Sequence, residues 1–180
     1  MSRFVLLDRD GVINRRIMSG YVTCWEEFVF LPGALEALRL LNEKNCRVIV
    51  VSNQAGVGKG LMTASDLDEI TRRFRAAVET HGGRIQSVYY CTHLAGDDCE
   101  CRKPKPGLLR RAQAEHHFDL GRTFLVGDSE SDLLAAQAAG CPAILISGTP
   151  ISAWEKPPYA PRLTVPTLWA AAEFLINEPE

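Results

Sequence analysis

Apolar residues follow two rhythms along this chain. Short unbroken runs predict buried strands: "RFVLL" (3–7), "RVIVVS" (47–52), "RIQSVYY" (84–90), "RTFLV" (122–126) and "PAILI" (142–146). Between them the spacing turns helical. Leu35, Leu38 and Leu41 share one face of a predicted helix over 32–45. A second helix spans 63–83, opened by the capping-box spacing of Thr63 and Asp66 and ended by Gly82 and Gly83. Further helices are predicted over 107–118, over 131–140 with Gly140 closing it, and over 167–176. The Pro-rich stretch 157–166 reads as a loop, and "NRRIMSGYVTCWEEF" (14–28) as a lid segment.

Strand alternating with helix means parallel pairing with helices on both faces. The expected fold is therefore α/β, a Rossmann-like parallel sheet. One domain covers 1–180, with a minimal cap and a metal-binding loop. In such sheets ligands gather at the carboxyl ends of the strands. Four polar segments fall there: "DRDG" (8–11), "SNQAGVGKG" (52–60), "CTHLAGDDCECRKPKPG" (91–107) and "GDSESD" (127–132). Any one of them could be only a turn. All four on one edge suggest a site.

Asp8 and Asp10 admit two readings. Asp10 and Gly11 favour a turn. Alternatively, Asp8 is a nucleophile and Asp10 its acid/base neighbour, a pairing suited to phosphoryl transfer. Two carboxylates this close need a shared proton or a cation. Asp8, a backbone carbonyl near Asp10, and Asp128 form a candidate Mg²⁺ site, with Asp132 near it. Ser129 or Ser131 could equally make the Asp128 segment a helix cap. Ser52 and Asn53 either end a strand or hydrogen-bond a phosphoryl group. "GVGKG" is not a nucleotide-binding P-loop, because Gly60 stands where Ser or Thr is needed.

Cys91, His93, Cys99 and Cys101 offer three thiolates and one imidazole, the donor set of tetrahedral zinc. The alternative is incidental thiols. Four protein ligands leave no open position, so the zinc is expected to be structural. Arg102 and Lys103 follow the last ligand directly, and a clamped loop would aim their charge at a phosphoryl group. Cys24, Cys46 and Cys141 are expected to be packed singly. His81, His116 and His117 are expected at helix ends, solvated or favoured by the helix dipole.

Composition narrows the function classes. Hydrophobic residues make up 46% of 180, which suits a globular chain. The net charge of −2, without an aromatic-rich basic strip, argues against a zinc-stabilised nucleic-acid-binding module. No apolar run is long enough for a membrane span, and the start lacks a signal-peptide pattern. A cytoplasmic monomer with reduced thiols is expected, so disulfides are not.

Taken in order, "LLDRDG", "VVSN", "CRKPKPG" and "VGDSESD" resemble the four motifs of the haloacid dehalogenase-like phosphatases, over about residues 3 to 148. The resemblance implies a Mg²⁺-dependent phosphomonoesterase working through an aspartyl-phosphate. Asp8 would be the nucleophile, Asp10 the general acid/base, Ser52 and Lys103 phosphate contacts, and Asp128 a Mg²⁺ ligand supported by Asp132. It implies a small phosphorylated metabolite as substrate, a heptose bisphosphate first and histidinol phosphate second. Asn53, Arg102 and Lys59 would contact it, and Arg15 or Arg16 could serve a second phosphate. Ala55, Lys59 and Ser129 replace the Ser, Arg and Lys usual in the closer relatives.

Overall fold

The computed structural model describes residues 3–147 and 160–178. A six-stranded parallel sheet is built from β1 (Arg3–Leu7), β2 (Cys46–Asn53), β3 (Ile85–Cys91), β4 (Phe124–Gly127), β5 (Ala143–Ile146) and β6 (Leu163–Val165). Their spatial order is β3-β2-β1-β4-β5-β6. The helices are α1 (Ala34–Glu43), α2 (Ala64–Thr80), α3 (Gly107–His116), α4 (Glu130–Ala139) and α5 (Leu168–Asn177).

The strand pleat sorts the core into two layers, because successive side chains point to opposite faces. Val5 and Leu7 of β1 with Val48 and Val50 of β2 face one layer, covered by α1, α2 and α5. Leu6, Ile49, Val51 and Leu125 face the other, covered by α3 and α4. The run-on apolar strands in the sequence are thus strands buried on both sides. Each helix presents its periodic face: Ala34, Ala37, Leu38 and Leu41 on α1, and Leu67, Ile70, Phe74 and Val78 on α2, are buried. Burying a side chain of that size contributes roughly 1.5–3 kcal/mol. The capping box on α2 is present: the Asp66 carboxylate accepts from the Thr63 N–H at 2.8 Å, and Thr63 Oγ1 accepts from the Asp66 N–H at 3.1 Å.

Two expectations differ from the structure. The stretch 157–166 is not all loop: Leu163–Val165 form β6, paired in parallel with β5 from Ile144↔Leu163 to Ile146↔Val165. A three-residue edge strand beside prolines is too short to show periodicity, and its pairing comes from β5. Residues 157–159 lie outside the described residues. Cys24 is exposed, whereas Cys46 and Cys141 are buried as expected. His116 ends α3 as expected; it is half-buried, and its Nε2 lies 2.8 Å from Ser87 Oγ and 3.1 Å from the Tyr89 hydroxyl. No helix among the described residues is long and apolar enough to cross a membrane.

The strand order matters for the site. From β1 the chain builds outward through β2 to β3, then returns to the other side of β1 with β4. The reversal places the carboxyl ends of β1 and β4 side by side, the position where such sheets open a crevice.

Candidate active site

Asp8 is the first residue beyond β1, and its N–H donates to Val126 O at 2.9 Å, prolonging the β1–β4 ladder. That bond sets Asp8 beside the Gly127–Asp128 exit of β4. The two glycines here have steric reasons. A Cβ on Gly11, which has φ +88°, would lie 1.8 Å from Asp128 Oδ2. A Cβ on Gly127 would lie 2.3 Å from the Asp132 Cβ. Only glycine lets the chain come this close to both carboxylates.

The carboxylates of Asp8, Asp128 and Asp132 converge, each with an oxygen within 4.8 Å of the others. Lys103 enters this group from the loop after β3 and is buried. Its Nζ lies 3.1 Å from Asp8 Oδ1 and 2.5 Å from Asp132 Oδ1, and it donates to Val51 O at 2.9 Å. Asp132 also caps α4, accepting from the Ser129 N–H at 3.2 Å and the Ser129 hydroxyl at 2.5 Å. One carboxylate therefore holds the helix start and the lysine together.

Burial pushes the Asp8 carboxyl upward. The Lys103 ammonium and the hydrogen bonds from Ser52, the Arg9 N–H and Lys103 outweigh it and hold Asp8 below the usual range. Burial likewise works against a charged Lys103, but Asp132 and Asp8 raise it and keep it protonated. One ammonium does not neutralise two buried carboxylates, so burial prevails at Asp132 and raises it despite Lys103. Asp128 is pushed up to about 7 by burial, with Arg16 opposing and the negative charge of Asp8 adding to it. The cluster is short of positive charge.

Arg16 touches the same oxygens from the lid segment. Its Nη2 donates to Asp128 Oδ1 at 2.5 Å and to the Asp10 backbone O at 3.3 Å, and lies 3.9 Å from Asp8 Oδ2. These are hard oxygen donors converging on one cationic point. The set fits Mg²⁺, which favours a few carboxylates together with water and phosphate oxygens.

Asp10 is held separately. Its Oδ1 accepts from Asn14 Nδ2 at 2.7 Å, its Oδ2 from Gln54 Nε2 at 2.6 Å, and both accept from Arg9 Nη2 at 3.1 Å. Arg9 is fully buried, with the rings of Phe28 and Tyr90 at 5.7 and 5.8 Å from its Cζ. Gln54 also donates to Ser52 Oγ at 3.2 Å, linking the end of β2 to Asp10. The arrangement offers a carboxylate beside a fixed ammonium and, two residues on, a second carboxyl group oriented by three side chains. That suits attack on phosphorus assisted by proton transfer.

The structure thus brings Asp8, Ser52, Lys103, Asp128 and Asp132 together, with Asp10 adjoining. The three residues expected to contact substrate have partners within the protein. Arg102 Nη1 donates to His93 O at 3.3 Å. Lys59 is exposed, its Nζ 5.1 Å from the Tyr21 ring centroid. Asn53 uses both ends of its amide on the Lys103 backbone. Arg9, Asn14 and Gln54 were missed from sequence. Arg9 had a signal in its place between two aspartates; Gln54 and Asn14 had none, because their role depends on where the lid segment and β2 meet.

The second cluster lies at the end of β3 and on the loop that carries Lys103. Sγ–Sγ separations are 3.7 Å for Cys91 and Cys99, 3.1 Å for Cys91 and Cys101, and 3.6 Å for Cys99 and Cys101. His93 Nδ1 lies 3.6 Å from Cys91 and 3.2 Å from Cys101. A tetrahedron with usual zinc bond lengths has edges of about 3.5–3.8 Å; three of these separations match it and the two to Cys101 from Cys91 and His93 are shorter, so the donor set suits the metal with a small outward adjustment of Cys101. The thiols are free and too far apart for disulfides. Burial pushes the Cys91 thiol up to about 12, with the Cys101 thiol adding to it.

Comparison with known proteins agrees along the chain. Residues 100–171 match the HAD-hydrolase-like family model. The chain is 36% identical over 179 residues to a D-glycero-beta-D-manno-heptose-1,7-bisphosphate 7-phosphatase of Pseudomonas aeruginosa, covering 98% of this chain and 100% of that one. It is 40% identical over 150 residues to a D-glycero-alpha-D-manno-heptose-1,7-bisphosphate 7-phosphatase of Mycobacterium tuberculosis, covering 80% and 79%. The crystal structure of D,D-heptose 1,7-bisphosphate phosphatase from B. bronchiseptica, complexed with magnesium and phosphate, superposes with a TM-score of 0.87 at 32% identity. That match covers 98% of this chain and 99% of the other.

Proposed function

We propose that this chain, which belongs to the haloacid dehalogenase-like hydrolases and is a phosphatase, removes the 7-phosphate of D-glycero-D-manno-heptose 1,7-bisphosphate. The observation that carries the substrate is the match to heptose bisphosphate phosphatases along 98% of the chain, which spans the loops around the site as well as the sheet. The alpha and beta anomers both appear among the relatives' substrates, so either is a candidate here.

In the proposed reaction Asp8 attacks phosphorus, forming an Asp8–O–P bond while the bond from phosphorus to the sugar oxygen breaks. Asp10 gives its proton to the departing 7-oxygen. Water then attacks the aspartyl-phosphate, Asp10 takes a proton from it, and the Asp8–O–P bond breaks to release inorganic phosphate and heptose 1-phosphate. Lys103 and Ser52 orient Asp8 and stabilise charge spread over the phosphoryl oxygens. Arg9, Asn14 and Gln54 orient Asp10 through the bonds described above.

Asp8, the Asp10 carbonyl and Asp128 would hold Mg²⁺, the oxygens that Arg16 touches. When bound, the ion supplies a Lewis acid for the phosphoryl oxygens and offsets the charge of the carboxylates. Cys91, His93, Cys99 and Cys101 would hold a structural zinc, with no open position for substrate.

The test is kcat/KM with added Mg²⁺ for both anomers of the heptose bisphosphate, for histidinol phosphate and for sugar monophosphates. One bisphosphate anomer is expected to be preferred by at least about tenfold, a difference of ~1.4 kcal/mol. Equal or better turnover of histidinol phosphate would overturn the assignment, and loss of all activity in chelator is expected.

A further inference from the structure

We infer that Asn53 is a positioning residue for Lys103 and not a contact to the sugar. Its Nδ2 donates to the Lys103 carbonyl at 2.9 Å, and its Oδ1 accepts from the Lys103 N–H at 3.0 Å. A carboxamide matched to the N–H and C=O of one residue forms a two-point clasp. Turning the amide over would set donor against donor and acceptor against acceptor, so its orientation is fixed by its partners.

The clasp sits on a rigid base. Asn53 is the last residue of β2 and pairs in register with Cys91 of β3. Two residues back, Val51 O accepts from Lys103 Nζ at 2.9 Å. The end of β2 therefore grips Lys103 at three points: its N–H, its C=O and its ammonium. Between them, Ser52 faces Asp8. The Cys/His cluster, by contrast, ends at Cys101 and reaches Lys103 only through Arg102. Its hold on the lysine is indirect, and the hold of Asn53 is direct.

The reason such a clasp matters is distance. Lys103 Nζ lies 3.1 Å from Asp8 Oδ1, and a long side chain keeps that position only if its backbone is fixed. Asn53 Nδ2 keeps a second hydrogen, but the plane and orientation of the amide are set by the Lys103 backbone. The inference rests on the reading of Lys103 as the cation beside the phosphoryl group.

The experiment is steady-state kinetics of Asn53→Ala on the heptose bisphosphate and on one monophosphate that is turned over. A displaced lysine lowers kcat by on the order of a hundredfold, by the same factor on both substrates, with KM nearly unchanged. A raised KM with kcat preserved, or a loss confined to the bisphosphate, makes Asn53 a substrate contact and overturns the inference. Asn53→Asp keeps the acceptor for the Lys103 N–H but sets an oxygen against its carbonyl; it gives the same kcat loss and serves if Asn53→Ala fails to fold. The Lys103→Met background separates the two readings. If Lys103→Met is itself severely impaired and Asn53→Ala then adds less than about threefold, the coupling is confirmed. A full further loss in that background overturns the inference while leaving Lys103 in its role. Near-normal turnover by Lys103→Met overturns that role and the inference with it.

Discussion

The two candidate metal clusters of this protein are built in opposite ways. Cys91, His93, Cys99 and Cys101 come from the end of one strand and the loop after it. Asp8 and Asp128 come from opposite halves of the chain and meet only because β4 lies beside β1. The first cluster consists of soft donors, paired with one another and free of any salt bridge among the described residues. The second is threaded with cations already, Lys103 from one side and Arg16 from the other. A closed set of local donors suits a metal that fixes a loop. An open set of distant oxygens, with fixed positive charge beside it, suits chemistry on an anion.

The comparison breaks most sharply at Asp8. Asp8→Asn keeps the shape of the cluster and removes the attacking carboxylate. It is expected to lower kcat by at least about a thousandfold with the circular dichroism of the sheet unchanged. Turnover near normal in a folded variant means that no covalent step passes through this residue.

Next in size is the metal ligand. Asp128→Ala removes an oxygen from the open cluster and also frees Arg16 from its partner at 2.5 Å. The Mg²⁺ concentration for half-maximal activity should rise about 10- to 100-fold, or activity should vanish. An unchanged Mg²⁺ titration would return Asp128 to the part of a turn residue.

The local cluster should show a smaller effect on chemistry and a different signature. Zinc analysis of reduced protein should find about one ion per chain. Cys99→Ser should speed amide exchange in residues 91–102 and leave the sheet unaffected. Because Asn53 holds Lys103 independently, kcat should fall by only about tenfold. Zinc must displace thiol protons, so its affinity should drop as the pH is lowered. Zinc-depleted protein with full activity would separate the two clusters entirely.

The smallest effect is expected at Lys59. It is exposed and rests over the Tyr21 ring. Lys59→Ala should raise KM for a bisphosphate by only a fewfold, about the scale of one solvated charge, and leave a monophosphate unchanged. Equal changes on both substrates would remove Lys59 from any role toward the second phosphate.

Much of this was legible in the residues. The unbroken apolar runs announced a parallel sheet, and Asp8, Ser52, Lys103 and Asp128 each lie at or beyond the carboxyl end of a predicted strand. The zinc-type donors were legible because they are close in sequence. Other features were not. β6 has three residues and takes its pairing from β5. Arg9 stands between two aspartates in sequence, but only the fold buries its guanidinium beside the rings of Phe28 and Tyr90. Asn53 and Gln54 are adjacent polar residues, and nothing in their order tells which will reach Lys103 and which Asp10.

The chain by itself determined which chemistry is on offer, because residue types at strand ends and ligand spacing in one loop are local properties. It also determined the layering, since periodicity alone assigns each apolar side chain to a face. The tertiary structure decided which charges meet. The reversal of strand order between β1 and β4 brings Asp8 to Asp128, and the end of β2 sets Lys103 at 3.1 Å from Asp8. Coulomb interactions and burial depend on separations of a few ångströms between residues far apart in sequence. No periodicity encodes such distances, so the strength of the site, unlike its ingredients, exists only in the folded sheet.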